Sequence, residues 1–157
     1  QAVVSAVTHD VSEAKMTIAG VPDKPGVAAQ VFRSLAHLDI NVDLIVQTVS
    51  DHGVTDISFT IPHDDIPHVE EVTNQIVKQL QAQGVSVDPE IARVSVIGAG
   101  MRTNPGVAAK MFEVLAEKEI NIAMISTSAI RISCVVQESR AEDAVKALHE
   151  AFELSAS

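Results

Sequence analysis

A short stretch before a predicted helix combines residue types that could hold a small ion, namely Asp23, Lys24 and Gly26. The first amides of a helix lack acceptors within it, so those of Gly26, Val27 and Ala28 form a ready site for a carboxylate or another anion. Gly26 also carries no side chain that could block close approach. The stretch therefore predicts an anion site with an acid beside it.

A second polar group lies on the strand predicted to follow this helix. Asp43 and Gln47 are four positions apart, so their side chains face the same side of a strand. Asp23 and Asp43 could receive an ammonium group, whereas the Gln47 amide can both donate and accept hydrogen bonds. An anion site beside acids suits a zwitterion, which indicates a free amino acid. The alternative is an ordinary capped helix with its acids on a solvated edge.

Other reactive side chains are scattered, and no nucleophile stands out beside a base. His63 and His68 flank two aspartates, for which a surface turn is a better interpretation than a metal site. Gly98 and Gly100 follow a strand, but their spacing differs from that of a dinucleotide-binding loop. Cys134 lies in an apolar run typical of a buried strand. We therefore predict no catalytic residue, no metal and no cofactor.

The composition argues against nucleic acid and membranes as partners. The net charge is −10 with no visible basic patch, and aromatic residues make up only 3% of the chain. A single cysteine and the lack of a signal peptide or long apolar span predict a cytoplasmic protein. The chain starts at Gln1 without Met, which predicts a fragment or a processed form of something longer.

The chain contains one unit twice. Pro25–Ala29 recurs unchanged as Pro105–Ala109. Further matches are Lys15–Gly20 with Arg93–Gly98, Phe32 with Phe112, Leu35–Ala36 with Leu115–Ala116, Ile40–Asn41 with Ile120–Asn121, Ile45 with Ile125, and Ile57–Ser58 with Ile132–Ser133. Any functional interpretation must therefore explain a pair.

The two copies differ at the candidate site. Thr103, Asn104, Ala123 and Thr127 stand where the first unit has Asp23, Lys24, Asp43 and Gln47. Because the second copy lacks the acids, the first unit is the better candidate for the main ligand pocket.

Hydrophobic periodicity predicts the order β-α-β-β-α-β in the first unit. Its predicted elements are a strand at 15–20, a helix from Pro25 to Leu38, strands at 40–49 and 55–61, a helix from Asp64 to just before Gly84, and a strand at 85–87. Those of the second unit are a strand at 93–98, a loop at 99–104, a helix at 105–118, strands at 120–128 and 130–136, and a helix at 140–153.

The second unit lacks its last strand, whereas residues 2–8 form a spare apolar strand. Unpaired, this strand would be an aggregation liability, so we predict that it completes the second sheet. The predicted fold class is α+β, with two ferredoxin-like βαββαβ domains. We place the first domain at 15–89 and the second at 90–157 plus 1–14.

The duplicated unit resembles the tandem ACT domains that form the regulatory part of aspartate kinases. The matching stretches are Val21–Gly26, Ile40–Gln47, Thr55–Phe59, Val94–Met101, Pro105–Val107, Ile120–Ile122, Ile125–Ser128, Ile130–Ser133 and Ala147–Leu154. They cover nearly the whole chain.

The resemblance implies a regulatory subunit or domain that is not an enzyme by itself. It implies binding of threonine, lysine or both, and allosteric feedback inhibition of threonine and lysine biosynthesis. It also implies a homodimer formed through the ACT domains, with effectors between unit one of one chain and unit two of the other, and a catalytic kinase subunit or domain as partner. The alternative is a ligand-insensitive ACT module that dimerises the kinase.

The resemblance also implies roles for particular residues. The main pocket would use Asp23, Gly26, Ala28 and Gln47, together with Asn121 and Ile122 across the interface. Asp43 and Ser128 would line the region where lysine is sensed. Ala108 and Ala129 stand where lysine-responsive members carry Thr and Glu, and losing an acid removes a partner for an ammonium group. Threonine is therefore the effector that we expect first.

Overall fold

The computed structural model describes residues 3–49, 52–99 and 105–154. The chain divides into two compact units, Ser12–Pro89 and a second one made of Glu90–Ser157 with Gln1–Val11. Residues 50 and 51, and residues 100–104 of the predicted loop with Thr103 and Asn104, lie outside the described residues.

The described residues form eight strands and four α-helices. In chain order they are β1 (Val3–Asp10), β2 (Glu13–Pro22), α1 (Val27–Ala36), β3 (Ile45–Val49), β4 (Val54–Pro62), α2 (Ile66–Leu80), β5 (Gly84–Asp88), β6 (Ile91–Ala99), α3 (Pro105–Glu117), β7 (Met124–Thr127), β8 (Arg131–Gln137) and α4 (Ala141–Ala151). A single 3₁₀ turn precedes α2 at His63–Asp65, and another precedes α4 at Glu138–Arg140.

In the described part of the chain, each unit contains one four-stranded sheet, in the order β3-β4-β2-β5 in the first unit and β1-β6-β8-β7 in the second. All the strand pairs are antiparallel. The N-terminal β1 pairs with β6, the place that β5 takes beside β2 in the first unit. The predicted fold class, two ferredoxin-like domains with the second completed by the N-terminal strand, is therefore confirmed.

Alternating apolar residues build the core of each unit. In the first unit, Met16 and Ile18 of β2 and Phe59 of β4 are fully buried and pack with the inner faces of α1 and α2. The Phe59 ring meets the ring of Phe32 edge to face, with 5.7 Å between centroids. In the second unit, Cys134 is a fully buried member of the corresponding core.

The four helices of the described residues end in the same way. Each is followed by a residue other than glycine with a positive φ, at Asp39, Gln81, Glu119 and Glu153. The next N–H then donates to a carbonyl in the last turn: Ile40 to Leu35, Ala82 to Val77, Ile120 to Leu115, and Leu154 to His149. This is the Schellman arrangement, in which an apolar residue after the turn packs onto the core. The repeated Ile40 and Ile120 are thus explained by helix termination.

Two predicted boundaries near the candidate site are wrong. The helix α1 begins at Val27 with Gly26 as its N-cap, so Pro25 lies in the preceding turn, although Pro105 does begin α3. The strand predicted at 40–49 is shortened to β3, because the Thr60 hydroxyl accepts the Leu44 N–H at 3.0 Å before regular pairing begins. A side chain thus replaces a ladder contact there.

Other boundaries shift for similar local reasons. The helix α2 ends at Leu80 rather than just before Gly84, because Gln81 already takes the left-handed conformation. The strand predicted at 120–128 is shortened to β7. The N-terminal strand predicted at 2–8 instead continues through His9 and Asp10. Leu38 lies beyond α1 and is 45% exposed.

Candidate functional site

A pocket of about 310 Å³ lies in the first unit where β2 leads into α1. It is lined by Pro22, Asp23, Lys24, Pro25, Gly26, Val27, Ala28, Gln47, Thr55 and Ile57. Its size is at the lower end of the range for small-molecule sites. The pocket brings together six of the residues predicted for the effector site, namely Asp23, Lys24, Gly26, Val27, Ala28 and Gln47.

Backbone hydrogen bonds hold the loop that forms one wall. The Asp23 N–H donates to the carbonyl of Gly53 at 3.0 Å, and the Lys24 N–H donates to that of Pro22 at 3.0 Å. The Val27 N–H reaches the carbonyl of Lys24 at 3.4 Å and closes the turn. The Asp23 side chain is exposed while its backbone is held. Backbone contacts therefore hold the loop, and the exposed Asp23 carboxylate lies at the pocket.

The start of α1 provides the anion-binding wall. Within the described residues, the N–H groups of Gly26 and Ala28 donate to no backbone carbonyl, and the first turn contains no acid. Both residues line the pocket, so their amides and the helix dipole favour a negative group there. The φ of Gly26 is +89°, and a Cβ on it would meet nothing within 4 Å. Backbone conformation, rather than lack of space, thus calls for glycine.

The opposite side of the pocket combines one amide with an apolar floor. Gln47 of β3 pairs with Ile57 of β4, so both side chains lie on the same face of the sheet. Ile57 and Thr55 are buried, and the Thr55 hydroxyl donates to the carbonyl of Thr48 at 2.9 Å. Gln47 itself is exposed and can turn toward a ligand.

Thr55 and Ile57 were not predicted as site residues. The signal was present, because residues 55–61 alternate strictly and place both on one face of a strand. The alternation does not specify the register of β4 with β3, and it is this register that brings Ile57 beside Gln47.

Asp43 does not line this pocket. It lies before β3 rather than within it, is exposed, and its N–H donates to the carbonyl of Thr60 at 3.2 Å. The prediction that Asp43 and Gln47 share one regular strand is therefore wrong, because the Thr60 hydroxyl interrupts the ladder between them.

The remaining predicted site residues belong to the second unit. Asn121 is exposed after the end of α3, and the half-buried Ile122 packs against the core of that unit. Ser128 lies in the turn between β7 and β8, where its N–H donates to the carbonyl of Arg131 at 2.8 Å. Its hydroxyl accepts the N–H of Ile130 at 3.4 Å.

His63 and Cys134 have ordinary surroundings. His63 Nε2 lies 2.7 Å from the carbonyl oxygen of Pro89, and no three potential metal ligands come together among residues 3–49, 52–99 and 105–154. Burial of Cys134 raises the pKa of its thiol to about 12. A neutral thiol is a poor nucleophile. No helix in the described ranges is both long and apolar enough to cross a membrane.

Comparison with known proteins finds ACT domains in both units. One ACT domain family matches residues 15–81, and a second ACT domain family matches residues 94–152. The aspartokinase of Corynebacterium efficiens is 45% identical over 156 residues, which cover 98% of this chain but 37% of that protein. The chain thus spans little more than a third of the length of this curated relative.

Two solved structures match over nearly the full length of their chains. In a crystal structure of aspartokinase alpha and beta subunits, one chain is 42% identical with a TM-score of 0.90, and the match covers 96% of this chain and 99% of that one. The ligand-free regulatory subunit of aspartate kinase from Thermus thermophilus is 37% identical, also with a TM-score of 0.90, and 98% of it is covered by 94% of this chain.

Proposed function

Since this chain belongs to the aspartokinase family, of which it is the regulatory part with two ACT domains, we propose that it senses free threonine and mediates feedback inhibition of aspartate kinase. One observation carries the proposal. The first-unit pocket combines unoccupied helix amides, an exposed acid and an amide side chain around a small apolar floor.

Each group of threonine has a complement in this pocket. The carboxylate would accept the N–H groups of Gly26 and Ala28, and the ammonium would lie against Asp23. The hydroxyl would exchange hydrogen bonds with Gln47, which can both donate and accept. The threonine methyl would rest on Ile57, a buried apolar side chain at the pocket floor.

A second copy of the chain would complete the site. The edge strand β3 exposes Ile45 at 54% and Val49 at 60%, and the edge strand β7 exposes Ile125 at 49%. Apolar side chains on unpaired edges favour pairing with another chain. In the proposed dimer, Asn121 and Ile122 of one copy cover the effector bound to the first unit of the other.

The same exposed edges favour a second candidate function, a ligand-insensitive module that dimerises the kinase. The two functions differ in the role of the pocket. A sensor must bind its effector with different affinity in two arrangements, and couplings of about 1–3 kcal/mol are usual for such control. An assembly module needs no such difference.

Lysine is the proposed second effector. Asp43 would receive its ammonium group and Ser128 would contribute a hydroxyl. Because Ala129 stands where lysine-responsive members carry Glu, we expect weaker binding of lysine than of threonine.

The test is thermal unfolding at fixed protein concentration with threonine, lysine, both and neither. A ligand at 100 times its dissociation constant adds about 2.7 kcal/mol of stability. We expect a clear rise of the midpoint with threonine and a smaller one with lysine. Valine, which replaces the hydroxyl by a methyl group, should bind at least about tenfold more weakly, because Gln47 is left without its partner.

A matched pair of variants tests the role of Asp23. Asp23→Ala should weaken threonine binding by about tenfold, because the ammonium group loses its charged partner. Glu70→Ala removes another exposed acid, from α2 and outside the pocket, and should bind threonine as the unmodified protein does. No response of the unmodified protein to either amino acid would favour the assembly module instead.

A further inference from the structure

The strand β2 carries a bulge just before the pocket loop. Ile18 pairs with Ile57 and Val21 pairs with Thr55, so Ala19 and Gly20 together stand opposite Asp56. The φ of Gly20 is +67°, a left-handed conformation that glycine adopts without a steric penalty. The bulge lets both Ile18 and Val21 face the core, although regular alternation would send them to opposite faces.

The side chain of Asp56 closes this bulge. The Gly20 N–H donates to Asp56 Oδ1 at 2.9 Å, which replaces the ladder contact that the extra residue removes. On the other side of β2, the carbonyl of Ala19 accepts the N–H of Gln83 at 2.9 Å. Both sides of the bulge are therefore held, one by a backbone group and one by a carboxylate.

The pocket loop starts directly after the bulge. Pro22, which still pairs with Val54, lines the pocket, and the Asp23 N–H donates to Gly53. A slip at Gly20 would change the face on which these residues emerge, because strand side chains alternate with a period of two. The position of the proposed effector ligands thus depends on the bulge.

The second unit lacks this device at the matching place. Gly98 corresponds to Gly20 in the repeat, and Arg131 corresponds to Asp56. The Gly98 N–H donates to the backbone carbonyl of Ile130 at 2.9 Å, and Ile97 pairs with Arg131. The carboxylate contact therefore occurs in the unit that contains the amino-acid pocket, and a backbone contact takes its place in the other.

From these contacts we infer that Asp56 is a positioning residue for the effector pocket, acting through the Gly20 bulge without touching the ligand. The inference rests on the proposed function for its ligand, threonine, but makes a separate structural claim about the bulge. Asp56 is absent from the pocket lining and its side chain is exposed, so its removal need not disturb the core.

The experiment compares Asp56→Ala and Asp56→Asn in the full chain. Amide hydrogen exchange of Gly20, followed by NMR, reports on the bulge, and calorimetric titration with threonine reports on the pocket. Asp56→Ala should speed Gly20 exchange and raise the dissociation constant for threonine, each at least about tenfold. Asp56→Asn retains the acceptor oxygen. Its Gly20 exchange rate and its dissociation constant for threonine should both stay within about threefold of those of the unmodified protein. Glu70→Ala, with the same change of charge, should alter neither.

The outcomes separate the two claims. Unchanged Gly20 exchange in Asp56→Ala overturns the inference, as does faster exchange with unchanged threonine binding. If the unmodified protein does not bind threonine, the proposed function fails, and the NMR signals of residues 23–28 decide the inference. If the chemical shifts of these residues change in Asp56→Ala and return to their original values in Asp56→Asn, Asp56 positions the loop. If they do not change in Asp56→Ala, the inference is overturned.

Discussion

Among the residues that line the pocket, Asp23 is the one that would hold the ammonium group of the proposed ligand. Its backbone N–H is bonded to Gly53, whereas its carboxylate is exposed at the pocket. The loop therefore does not depend on the carboxylate for its conformation. A loss of binding in Asp23→Ala would report on the missing charge rather than on a displaced loop.

Cys134 gives a pH dependence of stability with a defined sign. Burial raises the pKa of its thiol to about 12 in the folded state, whereas the pKa of an unfolded thiol is about 8.5. Below pH 8 the thiol is protonated in both the folded and the unfolded state, so its contribution to the free energy of unfolding is fully present. As pH rises from about 8.5 toward 12, the unfolded state loses the proton first, and stability falls.

Urea unfolding at pH 8, 9 and 10 measures this dependence. We expect Cys134→Ala to be less stable at pH 8, because it leaves a small cavity, but to lose less stability between pH 8 and 10. Parallel decline of the two proteins would contradict the assignment of the slope to this thiol. Alkylation of the folded protein by iodoacetamide should accordingly be slow at pH 8 and become fast in urea.

Among helices and strands, the shared Schellman ends are the most regular device of this fold. At Gln81 the left-handed conformation is held by a residue with a Cβ, at a cost of roughly 1–2 kcal/mol. Glycine avoids this cost but loses roughly 0.5–1 kcal/mol of chain entropy. We therefore expect Gln81→Gly to stabilise the protein by about 0.5–1 kcal/mol in urea unfolding.

Gln75→Gly is the matched control for this substitution. Gln75 is exposed in the middle of the same helix, where glycine costs about 1 kcal/mol. Both substitutions replace glutamine by glycine. Changes of opposite sign in the free energy of unfolding would therefore report the backbone conformation at the two positions. Destabilisation by both would show that strain at Gln81 is smaller than the entropy cost.

At the scale of the whole chain, the N-terminal strand β1 belongs to the unit built mainly from the C-terminal half. Val7 of β1 is 8% exposed, pairs with Val96 and belongs to the core of the unit that contains Glu90–Ser157. Val7→Asp would bury an unpaired charge and cost several kcal/mol. We expect it to unfold that unit preferentially, whereas Ser12–Pro89 keeps its own core.

Hydrogen exchange followed by mass spectrometry resolves the two units. Val7→Asp should lose protection at residues 91–99 and 131–137 and retain it at 54–62. Thr8→Asp provides the control, because Thr8 is the exposed neighbour on the same strand. Equal loss of protection in both units would mean that they unfold as one cooperative body.

Much of this protein could be predicted from its sequence, because the informative signals are local. Periodicity and the Pro25–Ala29 repeat predicted both βαββαβ units, and counting strands predicted the role of β1. The residues around Gly26 were predicted as a ligand loop from helix-terminus chemistry, and six of the predicted residues line one pocket.

The tertiary structure decided the features that depend on pairing between distant segments. The register of β3 with β4 brought Thr55 and Ile57 beneath Gln47, and the Thr60 hydroxyl kept Asp43 out of that strand. The contact between Asp56 and Gly20 likewise joins two strands far apart in the chain. A shift of one residue in register exchanges the two faces of a strand, and no periodicity within a single segment specifies which register its partner adopts.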